Sequence, residues 1–185
     1  IELGTFSIEL KPVNVTEMSL SVVKELAPEI GERKIQMKEQ YGSDVPIIDA
    51  DPELTRIVLQ NIISNAIKYT QEGGSVNIAI SVEKSGSNIG GKKIKNNSIL
   101  IVVSDTGYGI PENQQDKIFT KLFRADNIRE KDTNGTGLGL YVVKSIIDAA
   151  GGEIWFKSKI DNGTTFYITL PQKGMVGKTG SRKLL

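Results

Sequence analysis

DPELTRIVLQNIISNAIKYTQEGG, residues 51–74, is the stretch on which the architecture turns. Asp51 is a capping carboxylate, Pro52 suits the first helical position, and Glu53 sits near the positive end of the helix dipole. The spacing predicts one long helix from there to about Tyr69, stopped by Gln71-Glu72-Gly73-Gly74. Val58, Ile62 and Ala66 form its apolar stripe. Asn61, Asn65 and Lys68, at i, i+4 and i+7, share a face beside it. Asn is a mediocre residue inside a helix, and half-buried amides need partners. On the helix alone two readings stay open. Either the amides bond to backbone or water, or one amide oxygen holds Mg2+, a hard cation that takes oxygen ligands and keeps several waters.

On either side of this helix the pattern changes period. Residues 76–82 and 99–103 are apolar strand runs. They are joined by EKSGSNIGGKKIKNNS, residues 83–98, which reads as a flexible hairpin loop or, alternatively, a partner-binding loop. Upstream, residues 6–10 and 35–38 alternate as strands, and 45–48 offer a short third. Asn14 followed by Glu17 resembles a capping box that opens a helix over 15–30, which Pro28 kinks or ends. Downstream come a short helix near 113–119, the polar stretch 124–134, and a helix from about Gly137 to Gly151-Gly152. Residues 154–158 and 165–170 close as a hairpin through Asp161-Asn162-Gly163. Residues 1–171 read as a single domain and 172–185 as a tail or linker. Helices and strands mix without regular βαβ alternation. The expected class is therefore α+β: a two-layer α/β sandwich with a mixed, mainly antiparallel sheet and helices on one face.

The 185 residues suffice to bury a core without staples. Lys and Arg number 23 against 22 Asp and Glu, so nothing points to nucleic acid or another polyanion. With no cysteine there is no disulfide or thiolate metal site, which fits a reducing compartment. No apolar run approaches the roughly 18 residues of a membrane span. The opening IELGTFS has neither initiator Met nor signal-peptide pattern, and reads as a fragment of a longer protein. The count of histidines is zero, which removes any histidine nucleophile, imidazole base or histidine metal ligand from this chain.

Three further clusters carry chemistry. Asp105 ends the apolar run ILIVV and precedes Gly107 and Gly109. Such a carboxylate can accept a hydrogen bond from an adenine amino group while the glycines let a purine approach the backbone; the bare alternative is an Asx turn. Gly135, Gly137 and Gly139 open a helix whose first N–H groups and dipole suit phosphate, or they serve close packing. The spacing is neither a Walker A loop nor a dinucleotide-binding fingerprint. Phe119 and Phe123 precede the polar stretch 124–134, so residues 120–135 are a candidate lid; the two Phe are alternatively core residues. Lys121, Arg129 and Lys131 either assist at phosphates or are solvated charges.

Taken in order, QNIISNAIKYT (60–70), DTGYGIP (105–111), FTKLF (119–123) and GTGLGLYVVK (135–144) resemble the ATP-binding catalytic domain of sensor histidine kinases. That domain shares a superfamily and the Bergerat fold with gyrase B, Hsp90 and MutL. The resemblance implies Mg2+ at Asn65, phosphate contacts at Lys68, Tyr69 and Arg124, and phosphate binding by the backbone of Gly135, Gly137, Leu138 and Gly139. It implies adenine recognition by Asp105, Gly107, Gly109 and Ile110, with Thr165 preferred over Thr164 as the threonine that bonds the base. Water-hydrolysing relatives place a Glu base at the position of Asn61, and an amide cannot take that proton. The cofactors implied are ATP (or ADP) and Mg2+. The γ-phosphoryl acceptor is a histidine on a separate dimerisation domain, and a response regulator receives the group later. The fragment would be a monomer, its parent a homodimer, and the location cytoplasmic whether or not the parent is membrane-anchored. Two alternatives are a slow ATPase of the gyrase–Hsp90 type and an inactive nucleotide-binding module. Tyr108, large for the adenine loop, and the length of 83–98 depart from the family pattern.

Overall fold

The computed structural model describes residues 8–129 and 135–175. In chain order the elements are β1 (Lys11–Val13), α1 (Val15–Glu25), α2 (Ala27–Glu32), β2 (Gln36–Tyr41), β3 (Ile48–Ala50) and α3 (Pro52–Tyr69). Then follow β4 (Ser75–Glu83), β5 (Asn88–Ile89), β6 (Lys92–Lys93), β7 (Ser98–Asp105), a 3-10 helix (Glu112–Lys117), α4 (Asp126–Arg129), α5 (Gly139–Ala149), β8 (Glu153–Ser158) and β9 (Thr164–Pro171).

The main sheet has the order β2-β4-β7-β9-β8, with β2 parallel to β4 and every other pair antiparallel. This is the mixed, mainly antiparallel sheet expected. Strand periodicity puts alternate residues on one face. Val76, Ile78 and Ile80 of β4, Ile99, Ile101 and Val103 of β7, and Phe166, Ile168 and Leu170 of β9 are all buried. The register sets Ile78 against Val103, Ile101 against Ile168 and Val103 against Phe166, so the three strands form one apolar surface. Leu59, Ile62, Ile63 and Ile67 of α3 and Val143, Ile146 and Ile147 of α5 join these side chains in a single buried cluster. The layers are the α+β sandwich anticipated.

Several boundaries differ from expectation, each for a local reason. Asn14 caps α1 through a bond from the Glu17 N–H (3.2 Å), but the helix stops at Glu25 and restarts as α2 with Pro28 in its first turn. The first strand falls at Lys11–Val13, paired with Ile48–Ala50, rather than at 6–10, of which 6 and 7 lie outside the described residues. Glu9 is taken up instead by Asp51, whose Oδ2 accepts its N–H at 2.8 Å. The other oxygen of Asp51 caps α3 as expected, accepting the N–H groups of Glu53 and Leu54, each at 3.0 Å. The segment assigned to a tail begins inside the fold: Met175 is buried and its N–H donates to the Asp49 carbonyl at 2.8 Å.

Residues 83–98 form the expected hairpin, laid against the sheet. Gly90 and Gly91 both adopt positive φ, 57° and 82°, which closes β5 onto β6 in two residues. The hairpin lies on the sheet's outer face. A Cβ on Gly90 would come within 2.8 Å of the Tyr167 ring, and Tyr167 stacks on Trp155 at 5.3 Å. Lys92 sits over the Trp155 ring at 5.1 Å and pairs with Glu153, joined there by Lys95 at 3.5 Å. Among the described residues no helix is long and apolar enough to cross a membrane.

Candidate functional site

A cavity of about 350 Å³ opens between α3, the ends of β7 and β9, the 3-10 helix with α4, and the start of α5. The polar face of α3 supplies Asn61, Asn65, Lys68 and Tyr69 to its wall. The helix is fixed by Asp51 at one end and buries its opposite stripe, so these four have no other direction to face. Asn61 donates Nδ2 to the Ile57 carbonyl at 2.8 Å. Its Oδ1 lies so close to α5 that a Cβ on Gly139 would approach it to 2.6 Å. Asn65 is half-buried, and among the described residues its amide carries no such tie.

Asp105 stands at the end of β7. Its Oδ1 accepts the N–H of Gly107 at 2.8 Å and of Thr164 at 3.2 Å, while Oδ2 takes no hydrogen bond among the described residues. Burial pushes the carboxyl up to about 6, and those two N–H bonds pull it down. The loop after it is tied through its backbone. Tyr108 donates its N–H to the Tyr69 carbonyl (3.1 Å), and Ile110 donates to the Ser158 hydroxyl (2.8 Å). Gly109 has φ +65°, and a Cβ there would lie 2.0 Å from the Lys159 carbonyl oxygen, so no other residue fits.

Across the cavity stand Phe123, Arg124, Ala125 and Ile128, with Gly135, Gly137 and Gly139 at the start of α5. Leu138 occupies the N-cap position of α5 and makes no side-chain cap bond, so among the described residues no N-cap side chain takes up the N–H groups of the first turn. Both Phe of FTKLF pack against the core, Phe119 edge-on to Phe156 at 5.9 Å, and Phe123 also lines the cavity.

The cavity thus gathers Asn61, Asn65, Lys68, Tyr69, Asp105, Gly109, Ile110, Arg124, Gly135, Gly137 and Gly139 from the residues singled out in the sequence. Three others stay off the wall. Gly107 supports Asp105 from behind through its N–H. Leu138 begins α5 without lining the cavity. Thr165 turns its hydroxyl to Ser104 at 2.8 Å, and Thr164 is the threonine that reaches the cavity. Neighbouring strand residues face opposite ways, so only one of the two can serve. Ala125 and Ile128 were missed, although an apolar pair three residues apart inside a polar stretch was the available signal. Lys131 and the central part of the candidate lid, 130–134, fall outside the described residues.

A family model described as histidine kinase-, DNA gyrase B-, and HSP90-like ATPase matches residues 50–174. The adaptive-response sensory kinase SasA of Synechococcus sp. (strain JA-3-3Ab) is 34% identical over 157 residues, covering 85% of this chain and 38% of SasA. Full-length ShkA, solved in complex with AMPPNP, superposes with a TM-score of 0.73 at 25% identity, covering 97% of this chain and 34% of ShkA. The nucleotide-free catalytic domain of the histidine kinase ThkA gives 0.71 at 28% identity, covering 89% of this chain and 96% of that domain. ThkA in complex with the response regulator TrrA gives 0.69 at 25%, covering 89% of this chain and 42% of ThkA. The chain spans well under half of the SasA relative.

Proposed function

Because the chain belongs to the family of histidine kinase-, DNA gyrase B- and HSP90-like ATPases, we propose that it is the ATP-binding catalytic part of a two-component sensor histidine kinase. It would hold Mg-ATP and pass the γ-phosphoryl group to a histidine on a separate dimerisation domain, from which a response regulator takes it. The observation that carries this reading is Asn61. It lines the cavity four residues before Asn65, where hydrolysing relatives carry a Glu, and its amide is already committed to the Ile57 carbonyl. No general base for water stands there. The chain contains no histidine, so the acceptor is supplied by another segment.

Asp105 Oδ2 is the acceptor for the adenine amino group, and Ile110, Ala125 and Ile128 give the base its apolar surroundings. The donor set fits a hard divalent ion held mostly by phosphate and water. Among the described residues no group of three or more His, Cys, Asp or Glu could hold a metal, whereas Asn65 offers one amide oxygen to the cavity. When bound, Mg2+ would neutralise charge on the phosphates. Lys68, Tyr69 and Arg124, with the first N–H groups of α5, orient the triphosphate; transfer then depends on positioning and electrostatics. The complex of ThkA with TrrA supports a receiver domain as the later partner. A homodimeric parent and a cytoplasmic location go with this reading.

The test supplies labelled Mg-ATP to the chain together with its His-bearing dimerisation domain. Label should reach the histidine, and Asn65→Ala and Asp105→Ala should each cut transfer roughly 100-fold. Undiminished transfer in both variants, or multiple-turnover phosphate release without an acceptor, would overturn the assignment.

A further inference from the structure

Two polar ties on either side of α4 bind it to the rest of the domain. Asp126 and Gln114 of the 3-10 helix bond reciprocally: the Asp126 N–H donates to Gln114 Oε1 at 2.9 Å, and Gln114 Nε2 donates to Asp126 Oδ2 at 2.5 Å. The other tie reaches the opposite wall, where Asn127 Nδ2 donates to the Gly109 carbonyl at 3.0 Å. Asn127 Oδ1 is buried and has no partner among the described residues. Turning the amide over would set that oxygen against the Gly109 carbonyl, so the bond is kept although it strands an acceptor. A side chain serving stability alone would satisfy both ends.

We propose that Asn127 is a positioning residue that carries the state of the base pocket to Arg124 through its hydrogen bond to the Gly109 carbonyl. The role rests on the nucleotide reading given above. Gly109 lines the cavity beside Asp105, and its backbone is pinned against Lys159. Ala125 and Ile128, on either side of Asn127, line the same cavity, and Arg124 directly precedes them. A base seated against Gly109 therefore steadies α4 before any phosphate contact is made. Arg124 then meets the triphosphate with less ordering left to do.

Adenosine, which has a base and no phosphate, separates the two events. Amide hydrogen exchange across residues 125–128 should slow several-fold when adenosine binds the native chain. In Asn127→Ala and Asn127→Asp, adenosine should bind within about twofold of native affinity by calorimetry, yet leave that exchange at its ligand-free rate. The Asp variant keeps the size and sets an oxygen against the Gly109 carbonyl in place of the donor, so it breaks the bond without the lost volume of the Ala variant. In the assembled kinase both variants should raise the KM for ATP more than they lower kcat. Ligand-free melting curves check folding, which the Gln114–Asp126 pair still supports. Adenosine slowing exchange equally in both variants and the native chain would overturn this role alone. Adenosine failing to bind the native chain would overturn the nucleotide reading and this role with it.

Discussion

Along the base side of the cavity, residues 105–110 are held from three directions: by the Tyr69 carbonyl at the end of α3, by the Ser158 hydroxyl on β8, and by the Asp161 N–H, which donates to the Tyr108 carbonyl at 3.0 Å. Along the side proposed for phosphate, α4 is tied through Gln114 and Asn127, and among the described residues α5 starts without a side-chain cap. The first wall is finished without a ligand. The second offers backbone donors at the start of α5 that the N-cap residue, Leu138, does not take up with its side chain. A site that must recognise one base and then handle a changing number of phosphates gains from that asymmetry. On the proposed nucleotide reading, the tied wall would set identity and the helix N–H groups would respond to charge.

The comparison can be broken most severely at Gly109. Gly109→Ala forces a Cβ into the Lys159 carbonyl at a positive φ, and should cost about 3 kcal/mol or more in a denaturation curve while abolishing adenosine binding. A merely weakened but well-folded variant would show that the base wall yields after all. Asp105→Asn probes the same wall without strain. Both N–H bonds already fall on one oxygen, so the amide would turn its NH2 toward the base. ATP affinity should drop about 10–100-fold, with inosine triphosphate affected less, as titration calorimetry would show.

The same substitution should stabilise the ligand-free protein. The folded carboxyl titrates near 6 against an ordinary 3.8, so its ionisation opposes folding. That penalty is absent below about pH 4, grows between pH 4 and 6, and is full above, where it amounts to roughly 3 kcal/mol. The melting temperature of Asp105→Asn should therefore exceed that of the native chain at pH 7, with the gap closing as pH falls. Binding follows the opposite sign: adenosine needs the ionised acceptor, and its affinity should weaken by up to about tenfold per unit as pH falls below 6. A flat adenosine profile from pH 7 to 5 would remove Asp105 from base recognition. The smallest effect is expected far from both walls. Lys92→Ala, on the outer-face hairpin, should cost about 0.5–1 kcal/mol and leave nucleotide affinity unchanged.

Much of this was legible in the sequence where chemistry and local geometry coincide. Asp51-Pro52-Glu53 announces α3 because its capping bonds lie within three residues. Asn61, Asn65 and Lys68 follow from helical spacing once that start is known. Thr164 against Thr165 was not decidable from composition, since the choice depends on how β9 registers with β7, a contact between residues about 60 apart in the chain. The hairpin at 83–98 was read as such, but its platform, Trp155 and Tyr167, was not foreseen because it comes much later in the sequence. Asn127 looked like one more polar residue in a charged stretch. Its meaning lies in Gly109, which reaches it only through tertiary structure.

The short strand β3 and the residue that follows it meet both ends of the described chain: Asp51 takes the N–H of Glu9, and the Asp49 carbonyl takes that of Met175. Glu9 and Met175 therefore lie at one corner of the fold. Reporter dyes placed at those two positions would sit within efficient energy-transfer range in the folded protein and separate only on unfolding.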